Sequence, residues 1–259
     1  MAEVTEKKET DNRIPVIKVK DLHKVYRIGE TKVNALNGVD FTIYKGEFIA
    51  IVGTSGSGKS TCLNMLAGLE PPTKGEIVIA GEHIEKMSES KLVKFRQMHV
   101  GFIFQSYNLM NTMTALENVA MPLMFRGMSR TKRNMLAKRA LKKVNLLKYA
   151  DHRPTQMSGG QQQRVGVARA LVLKPDIIFA DEPTGNLDSS TSEEVMRLLR
   201  ELSSQNKQTL VMVTHDNHLA SYADRIFRII DGKIVSIEVN EHMDENDHAD
   251  ENEQVEENH

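Results

Sequence analysis

Apolar residues recur along the chain in short runs that predict β-strands. Several runs are continuous and rich in β-branched residues, which is the pattern of strands buried on both faces of a parallel sheet. EFIAIVG and TLVMVTH are the clearest examples. Nine strands are predicted, over residues 16–22, 39–43, 47–53, 75–81, 100–105, 176–181, 209–215, 225–230 and 233–239.

Helical patterns separate the later strands. KSTCLNMLAGL follows the glycine-rich segment after the third strand. Residues 189–205 carry serine and threonine side chains suited to a helix N-terminus. Behind them, four apolar residues recur at helical spacing, namely Val195, Leu198, Leu199 and Leu202. Because strands and helices alternate, we expect an α/β fold.

The segment between about residues 106 and 173 has a different character. It lacks strand-like alternation and is rich in Leu, Met, Lys and Arg, so we expect helices inserted between two core strands. After the glycine pair of MSGGQQQ, we expect a helix that begins at Arg164. The methionines are expected to fill the core of this insertion, because Met packs adaptably into gaps; a Met-rich docking surface is the alternative.

Composition narrows the class of protein. The 259 residues suffice for one large domain or two small ones. No apolar run approaches the roughly 18 residues that cross a bilayer. Residues 1–15 are polar, lack the apolar core of a signal peptide, and are predicted to form a flexible tail. The single cysteine, Cys62, excludes an internal disulfide and fits a reducing compartment, so we expect a cytoplasmic protein.

Charge is unevenly distributed along the chain. Residues 241–259 contain nine acidic residues and no Lys or Arg, so without them the formal net charge of −1 becomes +8. Such a like-charged segment is predicted to be disordered. Its histidines (His242, His248 and His259) could bind a metal, although a solvated tail is the preferred interpretation. The basic remainder of the chain could lie near an anionic membrane face.

A phosphate-binding loop is predicted at residues 53–60. GTSGSGKS fits the pattern G-x-x-x-x-G-K-S, and it lies between an apolar strand and a helical segment, which is the context that the motif requires. Glycines let backbone N–H groups turn toward phosphate oxygens. Lys59 can reach the β- and γ-phosphates, and the Ser60 hydroxyl can ligate Mg²⁺.

A pair of acidic residues with predicted functional roles lies at the end of the strand DIIFAD. Asp181 ends that strand and is expected to hold Mg²⁺, through water. Glu182 follows it and is a candidate general base toward an attacking water molecule. Acidic neighbours on a loop are usually plain surface charge. Because these two acids follow a buried strand in a chain with a phosphate loop, we favour a role in metal binding and catalysis.

A second glycine-containing loop, MSGGQQQ, also suits an anion, because it precedes a helix. Together with GTSGSGKS, Gln105, FADEPTGNLD and VTHD in this order, it makes residues 16–239 resemble the ATP-binding subunits of ATP-binding-cassette (ABC) transporters. ALENV, SGGQQQRV and ADEPTGNLDS are similar to the macrolide-exporter and lipoprotein-releasing (MacB/LolD-like) subgroup, whose relatives include the cell-division ATPase FtsE.

The resemblance implies a fold and an assembly. It implies a mostly parallel core sheet, an antiparallel β subdomain and an inserted helical subdomain at about 106–173, within an ATPase domain over 16–240. It also implies a homodimer in which two copies pair head to tail. Each ATP then lies between the phosphate loop of one copy and the SGGQ loop, residues 158–161, of the other.

Roles for individual residues are likewise implied by the resemblance. Gln105 resembles the glutamine that touches Mg²⁺ or the attacking water. His215 resembles the histidine that contacts the γ-phosphate and steadies Glu182. Residues 186–188 resemble the loop that crosses the dimer interface. Tyr26 resembles the aromatic residue that stacks on adenine, although packing of a half-buried strand is an equal alternative.

The full prediction comprises three overlapping sets. The catalytic set contains Lys59, Gln105, Glu182 and His215. The metal set contains Ser60, Gln105 and Asp181. The ATP-binding set contains Tyr26, Gly53, Thr54, Ser55, Gly56, Ser57, Gly58, Lys59, Ser60, Thr61, Ser158, Gly159, Gly160, Gln161 and Asp188.

The implied function is an ATPase, with ATP and Mg²⁺ as cofactors, that drives a separate membrane permease. We expect it at the cytoplasmic face of the membrane, bound through that permease near Gln105 and the inserted helices. A signalling ATPase of the cell-division type, which regulates an extracytoplasmic partner through a membrane protein, is the alternative. A role on nucleic acid is not expected, because the chain lacks a long coiled-coil insertion and a second cassette.

Overall fold

The computed structural model describes residues 13–240. Most of the predicted N-terminal tail and the whole acidic segment, with its three histidines, lie outside the described residues. The first strand begins at Pro15, the last residue of that predicted tail. Within residues 13–240 no helix combines the length and the apolar character that crossing a bilayer requires.

Residues 13–240 form ten strands, which include all nine predicted ones. The tenth is β5, which has only two residues. Their bounds are β1 Pro15–Ile28, β2 Thr31–Tyr44, β3 Phe48–Val52, β4 Lys74–Ile79, β5 Glu82–His83, β6 Val100–Phe104, β7 Ile177–Asp181, β8 Thr209–Thr214, β9 Arg225–Ile230 and β10 Lys233–Val239.

Seven α-helices complete the described part of the chain. They are α1 Lys59–Leu66, α2 Glu89–His99, α3 Ala115–Phe125, α4 Arg130–Lys143, α5 Gly159–Leu171, α6 Ser189–Gln205 and α7 Asn217–Ala220. Helix α6 begins and ends where the spacing of its apolar residues predicted. Short 3-10 helices span Ile84–Lys86, Leu147–Tyr149 and Pro154–Gln156.

The strands form two sheets. An antiparallel sheet has the order β2-β1-β4-β5, and a six-stranded sheet has the order β10-β9-β3-β8-β7-β6. In the larger sheet every neighbouring pair is parallel except the β9–β10 hairpin. Strands β3 and β8 are buried along their whole length, which explains their continuous apolar sequence. The predicted α/β fold is therefore confirmed.

Two apolar clusters lie on opposite faces of the six-stranded sheet. One joins β3 and β8 to the inserted helices and α6. The other fills the space between the two sheets and α1, with Phe179 and Phe227 fully buried within it. This second cluster includes Cys62, and burial raises the pKa of its thiol to about 12. Packing on both faces holds the carboxyl ends of β3, β7 and β8 at one edge.

Helices α3, α4 and α5 form an insertion between β6 and β7. Helix α3 begins with a capping box, in which the Thr114 side chain accepts from the Glu117 N–H and Glu117 accepts from the Thr114 N–H. The expectation that methionines fill this insertion is wrong. Of its seven methionines only Met157 is buried, whereas three are exposed, namely Met110, Met124 and Met135.

Candidate functional site

The phosphate loop joins the end of β3 to the start of α1. Gly58 is the N-cap residue of α1 and has a φ of 101°, which L side chains rarely adopt. A Cβ atom at Gly58 would also lie 2.2 Å from the backbone oxygen of Ala35. No acidic residue occupies the first turn of α1. The positive end of the helix therefore faces the loop, as anion binding requires.

Lys59 lies inside the loop rather than in solvent. Its side chain is only 5% exposed, and its ammonium donates a hydrogen bond to the backbone oxygen of Thr54 at 2.8 Å. Burial lowers the pKa of Lys59, while the carboxylates of Glu182 and Asp181 act in the opposite direction. The loop thus holds a partly desolvated cation next to two acids.

A cavity of about 810 Å³ opens above the phosphate loop, within the usual size range of ligand pockets. Ten predicted residues line it, namely Gly53, Thr54, Ser55, Gly56, Gly58, Lys59, Ser60, Thr61, Glu182 and His215. Ser57 is buried behind the loop, and its hydroxyl has no hydrogen-bond partner among the described residues.

Ser60 and Asp181 connect α1 to the end of β7. The Ser60 hydroxyl donates to a carboxylate oxygen of Asp181 at 3.0 Å. Burial raises the pKa of Asp181, and the hydrogen bond from Ser60 lowers it. Both side chains present oxygen atoms, the ligands that Mg²⁺ prefers. No group of three or more His, Cys, Asp or Glu side chains that could hold a metal occurs within 13–240, so phosphate and water oxygens would have to supply the remaining ligands.

Glu182 and His215 face the same cavity from adjacent strand ends. A carboxylate oxygen of Glu182 lies 3.1 Å from Nδ1 of His215. Glu182 has a φ of 42°, and its N–H donates to the backbone oxygen of Val213 at 3.0 Å. A left-handed conformation at a residue other than glycine is uncommon and is frequent at functional sites. It turns the chain directly after β7 and leaves the carboxylate at the cavity wall.

The structure does not bring Gln105 or Tyr26 to the lining of this cavity. The Gln105 side chain packs against Gly185, since a Cβ there would lie 2.6 Å from Nε2 of Gln105. The Tyr26 hydroxyl donates to a carboxylate oxygen of Glu70 at 2.8 Å. Burial is the main cause that raises the pKa of Tyr26.

The SGGQ loop forms the start of α5, five residues before the expected start at Arg164. Ser158 is the N-cap residue and closes a capping box with Gln161: the Gln161 N–H donates to the Ser158 hydroxyl and the Ser158 N–H donates to Gln161 Oε1. A Cβ at Gly160 would lie 2.4 Å from a methyl group of Thr191. None of the four loop residues lines the phosphate-loop cavity of its own copy.

Asp188 lies at the start of α6. Its carboxylate accepts from the N–H and the hydroxyl of Thr191, and these bonds lower the pKa of Asp188. Asn186, two residues earlier, donates from its side chain to the backbone oxygen of Gln105 at 3.1 Å. The segment after Glu182 is thereby connected to the end of β6 and to the region of the SGGQ loop.

The residues that form one wall of the cavity were not predicted from the sequence. This wall consists of Ala35, Asn217, Arg228, Ile229 and Ile230. Arg228 pairs with Glu238 and donates to the side chain of Asn217 at 3.0 Å. The hydrogen bond with Glu238 raises the pKa of Arg228. Of the two arginines in the apolar strand RIFRII, Arg225 and Arg228, the interior one was the available signal.

Comparison with known proteins identifies the family. The family model described as ABC transporter matches residues 36–185. An "Uncharacterized ABC transporter ATP-binding protein" of Thermotoga maritima is 48% identical over 223 residues, which are 86% of this chain and 95% of that protein. The lipoprotein-releasing system ATP-binding protein LolD of Geobacter metallireducens is 45% identical, covering 85% of this chain and 98% of its own.

A longer relative matches only in part. The macrolide export ATP-binding/permease protein MacB of Chlorobium phaeobacteroides is 48% identical over 229 residues. The alignment covers 88% of this chain but 35% of that protein. The chain thus spans about a third of the length of this relative.

Similar solved structures point to the same family as the sequence relatives. The dimeric, post-hydrolysis ATP-binding cassette MJ0796 bound to ADP and Pi has a TM-score of 0.81 and 43% identity, over 86% of this chain and 98% of that one. A second dimeric structure of MJ0796, described as a bacterial ABC transporter cassette, has the same TM-score and 44% identity. The chain therefore belongs to the ATP-binding ATPase subunits of ABC transporters, where it groups with those of the MacB and LolD type.

Proposed function

We propose that this chain pairs with a second copy of itself on binding ATP and thereby drives a separate membrane permease. One observation carries the proposal: the buried cation of Lys59 and the Glu182–His215 pair face the same large cavity. A cation can bind the phosphates, and a carboxylate beside a histidine can activate water. The same cavity thus holds the groups for binding and for hydrolysis.

The nucleotide phosphates bind at the phosphate loop. Backbone N–H groups at the start of α1 point toward the phosphate oxygens, and Lys59 neutralises charge on the β- and γ-phosphates. Ser60 and Asp181 present the oxygen atoms that would hold Mg²⁺, Asp181 through water. When bound, Mg²⁺ supplies neutralisation of phosphate charge. Gln105 keeps its predicted place in this set only if its side chain leaves Gly185.

Hydrolysis uses Glu182 as the general base. Its carboxylate accepts a proton from the water molecule that attacks the γ-phosphorus, while the bond to the bridging oxygen breaks and ADP departs with the electron pair. His215, 3.1 Å from Glu182, holds the carboxylate in position and contacts the γ-phosphate. Phosphate is the second product.

The SGGQ loop completes the site of the other copy. Ser158 and the N–H groups of Gly159 and Gly160 lie at the positive end of α5, which suits the γ-phosphate. Because this loop lies away from the cavity of its own copy, it can reach a nucleotide only on a partner. Asp188 and Asn186 lie on the segment that crosses the interface. The dimeric structures of a similar cassette support this arrangement.

The Glu182→Gln variant tests this mechanism. Without the base, kcat should fall by roughly 10²–10⁴, and the ATP-bound dimer should accumulate. Size-exclusion chromatography with ATP then shows a dimer that wild-type chain forms only transiently. Glu201→Gln, an equal change on the exposed side of α6, should leave both properties unchanged. A monomeric Glu182→Gln variant at saturating ATP would contradict the proposal.

The inserted helices carry the surface that we propose for the permease. Apolar side chains of α3 line a cavity of about 450 Å³ there, with Met121 and Met124 among them. Phe125, at the end of the same helix, is 64% exposed. Exposed methionine and aromatic residues on an adaptable surface suit a partner protein. The partner is expected to present an apolar segment, because the charged residues that line the cavity carry both signs, Arg130 and Arg133 with Glu117 and Asp151.

Co-purification from membranes tests the permease partner. Met124→Asp should release the chain from an integral membrane protein that wild-type chain retains, with ATP binding unchanged. Val235→Asp, an equal change on an exposed residue of β10, should retain that protein. Equal retention by both variants would contradict this docking surface. The identity of the retained protein, exporter, lipoprotein-releasing permease or regulator of an extracytoplasmic enzyme, also assigns the work that ATP drives.

A further inference from the structure

Helix α4 carries an unusual concentration of uncompensated charge. It contains no Asp or Glu but has seven basic side chains, namely Arg130, Lys132, Arg133, Lys138, Arg139, Lys142 and Lys143. All of them are exposed or half-buried. Over the described range 13–240, none of the seven forms an ion pair with a carboxylate. Helix α4 therefore presents a strongly positive surface.

A cavity lies beside this helix, separate from the nucleotide site. It measures about 230 Å³ and is enclosed by α4, α5 and α6. Its floor is apolar, with Leu136 and Val144 on the α4 side, Leu171 from α5 and Leu202 from α6. A side chain the size of Val or Leu fits such a space, and its burial there is favourable.

The rim of the cavity is basic. Arg139 and Lys143 lie one helical turn apart on α4, and Lys174 reaches the rim from the segment after α5. None of the residues from 13–240 that line the cavity is acidic. An occupant must therefore combine an apolar side chain with several carboxylates close to it in sequence.

One segment of this chain has that chemistry. Residues 241–259 contain nine acidic residues and no Lys or Arg. Val255 is one of their few apolar residues, and it lies among three acidic neighbours, Glu253, Glu256 and Glu257. The number of these carboxylates matches the number of basic side chains at the rim.

The point where this segment leaves the described structure is fixed near the same helices. The side chain of Asn240 donates to the backbone oxygen of Ala223 at 2.6 Å, and its N–H donates to that of Asp224 at 2.9 Å. The carboxylate of Asp224 in turn pairs with Arg200 on α6 at 3.0 Å. Leu202, two residues further along α6, lines the cavity floor.

The length of the segment is sufficient for this path. Arg200 and Gln205, the last residue of α6, are separated by only about 8 Å along the helix, from a rise of about 1.5 Å per residue. Fifteen residues from 241 to 255 span up to about 50 Å when extended. A tethered ligand of this kind also has an effective local concentration on the order of millimolar, so a weak site is sufficient to hold it.

We propose that the acidic segment 241–259 binds back onto the cavity beside α4. Val255 enters the apolar floor, and Glu253, Glu256 and Glu257 pair with Arg139, Lys143 and Lys174 at the rim. The interaction combines burial of an apolar side chain with charge pairing at the rim, and it tethers the end of the six-stranded sheet to the inserted helices. A flat anionic membrane would contact the exposed basic residues of α4 but would not fill the cavity, so we favour the segment as the occupant.

Zero-length cross-linking of the full chain tests this proposal. A carbodiimide joins a carboxyl group to a lysine amine that is in contact with it, and mass spectrometry identifies the pair. We expect residues 253–257 to be joined to Lys143 and Lys174, and not to Lys138 or Lys142 on another side of α4. Raising the salt concentration from about 0.1 M to 1 M should remove these products, because the Debye length falls from about 10 Å to 3 Å.

Two matched double variants distinguish charge pairing at the cavity rim from attraction to the net charge of α4. The double variant Arg139→Glu with Lys143→Glu should reduce the cross-link to Lys174 by about tenfold, since like charges then face the segment. The double variant Lys138→Glu with Lys142→Glu makes the same change of charge at the same spacing outside the cavity. It should leave the Lys174 product within about twofold of wild type, because binding depends on local pairing.

Two further outcomes would overturn the proposal. A mixture of ¹⁴N- and ¹⁵N-labelled chains must give products within one copy; products that join two copies would contradict the internal path. Cross-links spread evenly over the lysines of α4, with equal sensitivity to both double variants, would show non-specific attraction only. Val255→Ser provides the apolar test: it should weaken the Lys174 product, whereas Met243→Ser should not.

Discussion

Nδ1 of His215 lies 3.1 Å from a carboxylate oxygen of Glu182, and this contact joins the ends of two neighbouring parallel strands. The pairing of β7 with β8 places the two residues side by side, since Asp181 is opposite Val213 in the register. Glu182 is mostly shielded, whereas His215 is largely exposed at the cavity. The carboxylate is therefore held in place by a side chain that a nucleotide can reach.

Removing this contact should slow hydrolysis without abolishing nucleotide binding. His215→Ala is expected to lower kcat by about 10²-fold, because Glu182 loses its orienting partner. The affinity for ADP should stay unchanged, since ADP lacks the γ-phosphate. Steady-state ATPase rates and ADP titration measure both quantities.

A second histidine provides the control for this variant. His218, three residues further on, is also exposed but lies near Glu193 rather than Glu182. His218→Ala should retain wild-type turnover. Equal rates for the two alanine variants would remove His215 from the catalytic set.

Lys59→Ala should act on nucleotide binding itself. A hydrogen bond to a charged group contributes about 1.5–3 kcal/mol, so the Kd for ATP should rise by roughly 10- to 150-fold. Isothermal titration measures the affinity. Lys233→Ala, which removes an exposed lysine of β10, is the matched control and should bind ATP normally. An unchanged Kd in a folded Lys59→Ala variant would show that phosphates bind elsewhere.

Gln163 offers a prediction about stability. Its side chain is fully buried in α5, and neither polar atom of its amide has a hydrogen-bond partner among the described residues. Because an unpaired buried polar group costs about 1–3 kcal/mol, Gln163→Met should raise the free energy of unfolding by roughly 1 kcal/mol. The urea midpoint should shift upward accordingly.

The neighbouring glutamine is the natural comparison for Gln163. Gln162 donates from its side chain to the backbone oxygen of Met157 at 3.1 Å, so Gln162→Met loses a hydrogen bond and should destabilise. If both methionine variants lowered the urea midpoint equally, the Gln163 amide would have a partner, such as a buried water molecule.

Much of the fold could be predicted because burial and sequence coincide in the central strands. β3 and β8 are buried throughout, so their apolar runs are continuous. Helix α2 was missed because Phe95 is its only buried residue, and it therefore shows little helical periodicity. The first residues of β2 were not predicted, because residues 31–34 are exposed and show no alternation of apolar and polar side chains.

The candidate site could be predicted where its functional residues lie together in one short sequence motif. The phosphate loop and the Asp181–Glu182 pair are contiguous in sequence, and they meet in the structure through the Ser60–Asp181 hydrogen bond. Arg228 reaches the cavity from a distant strand, so no local spacing pointed to it. The start of α5 was misplaced because its two glycines disfavour helix, although the Ser158 and Gln161 capping box marked it.

The most direct test of the account is the structure of the Glu182→Gln variant with ATP bound. We predict a head-to-tail dimer in which each nucleotide contacts Lys59 of one copy. The Ser158 hydroxyl of the other copy should lie within about 3 Å of a γ-phosphate oxygen, at hydrogen-bond distance. A dimer or monomer in which no Ser158 hydroxyl approaches a γ-phosphate would contradict the shared site.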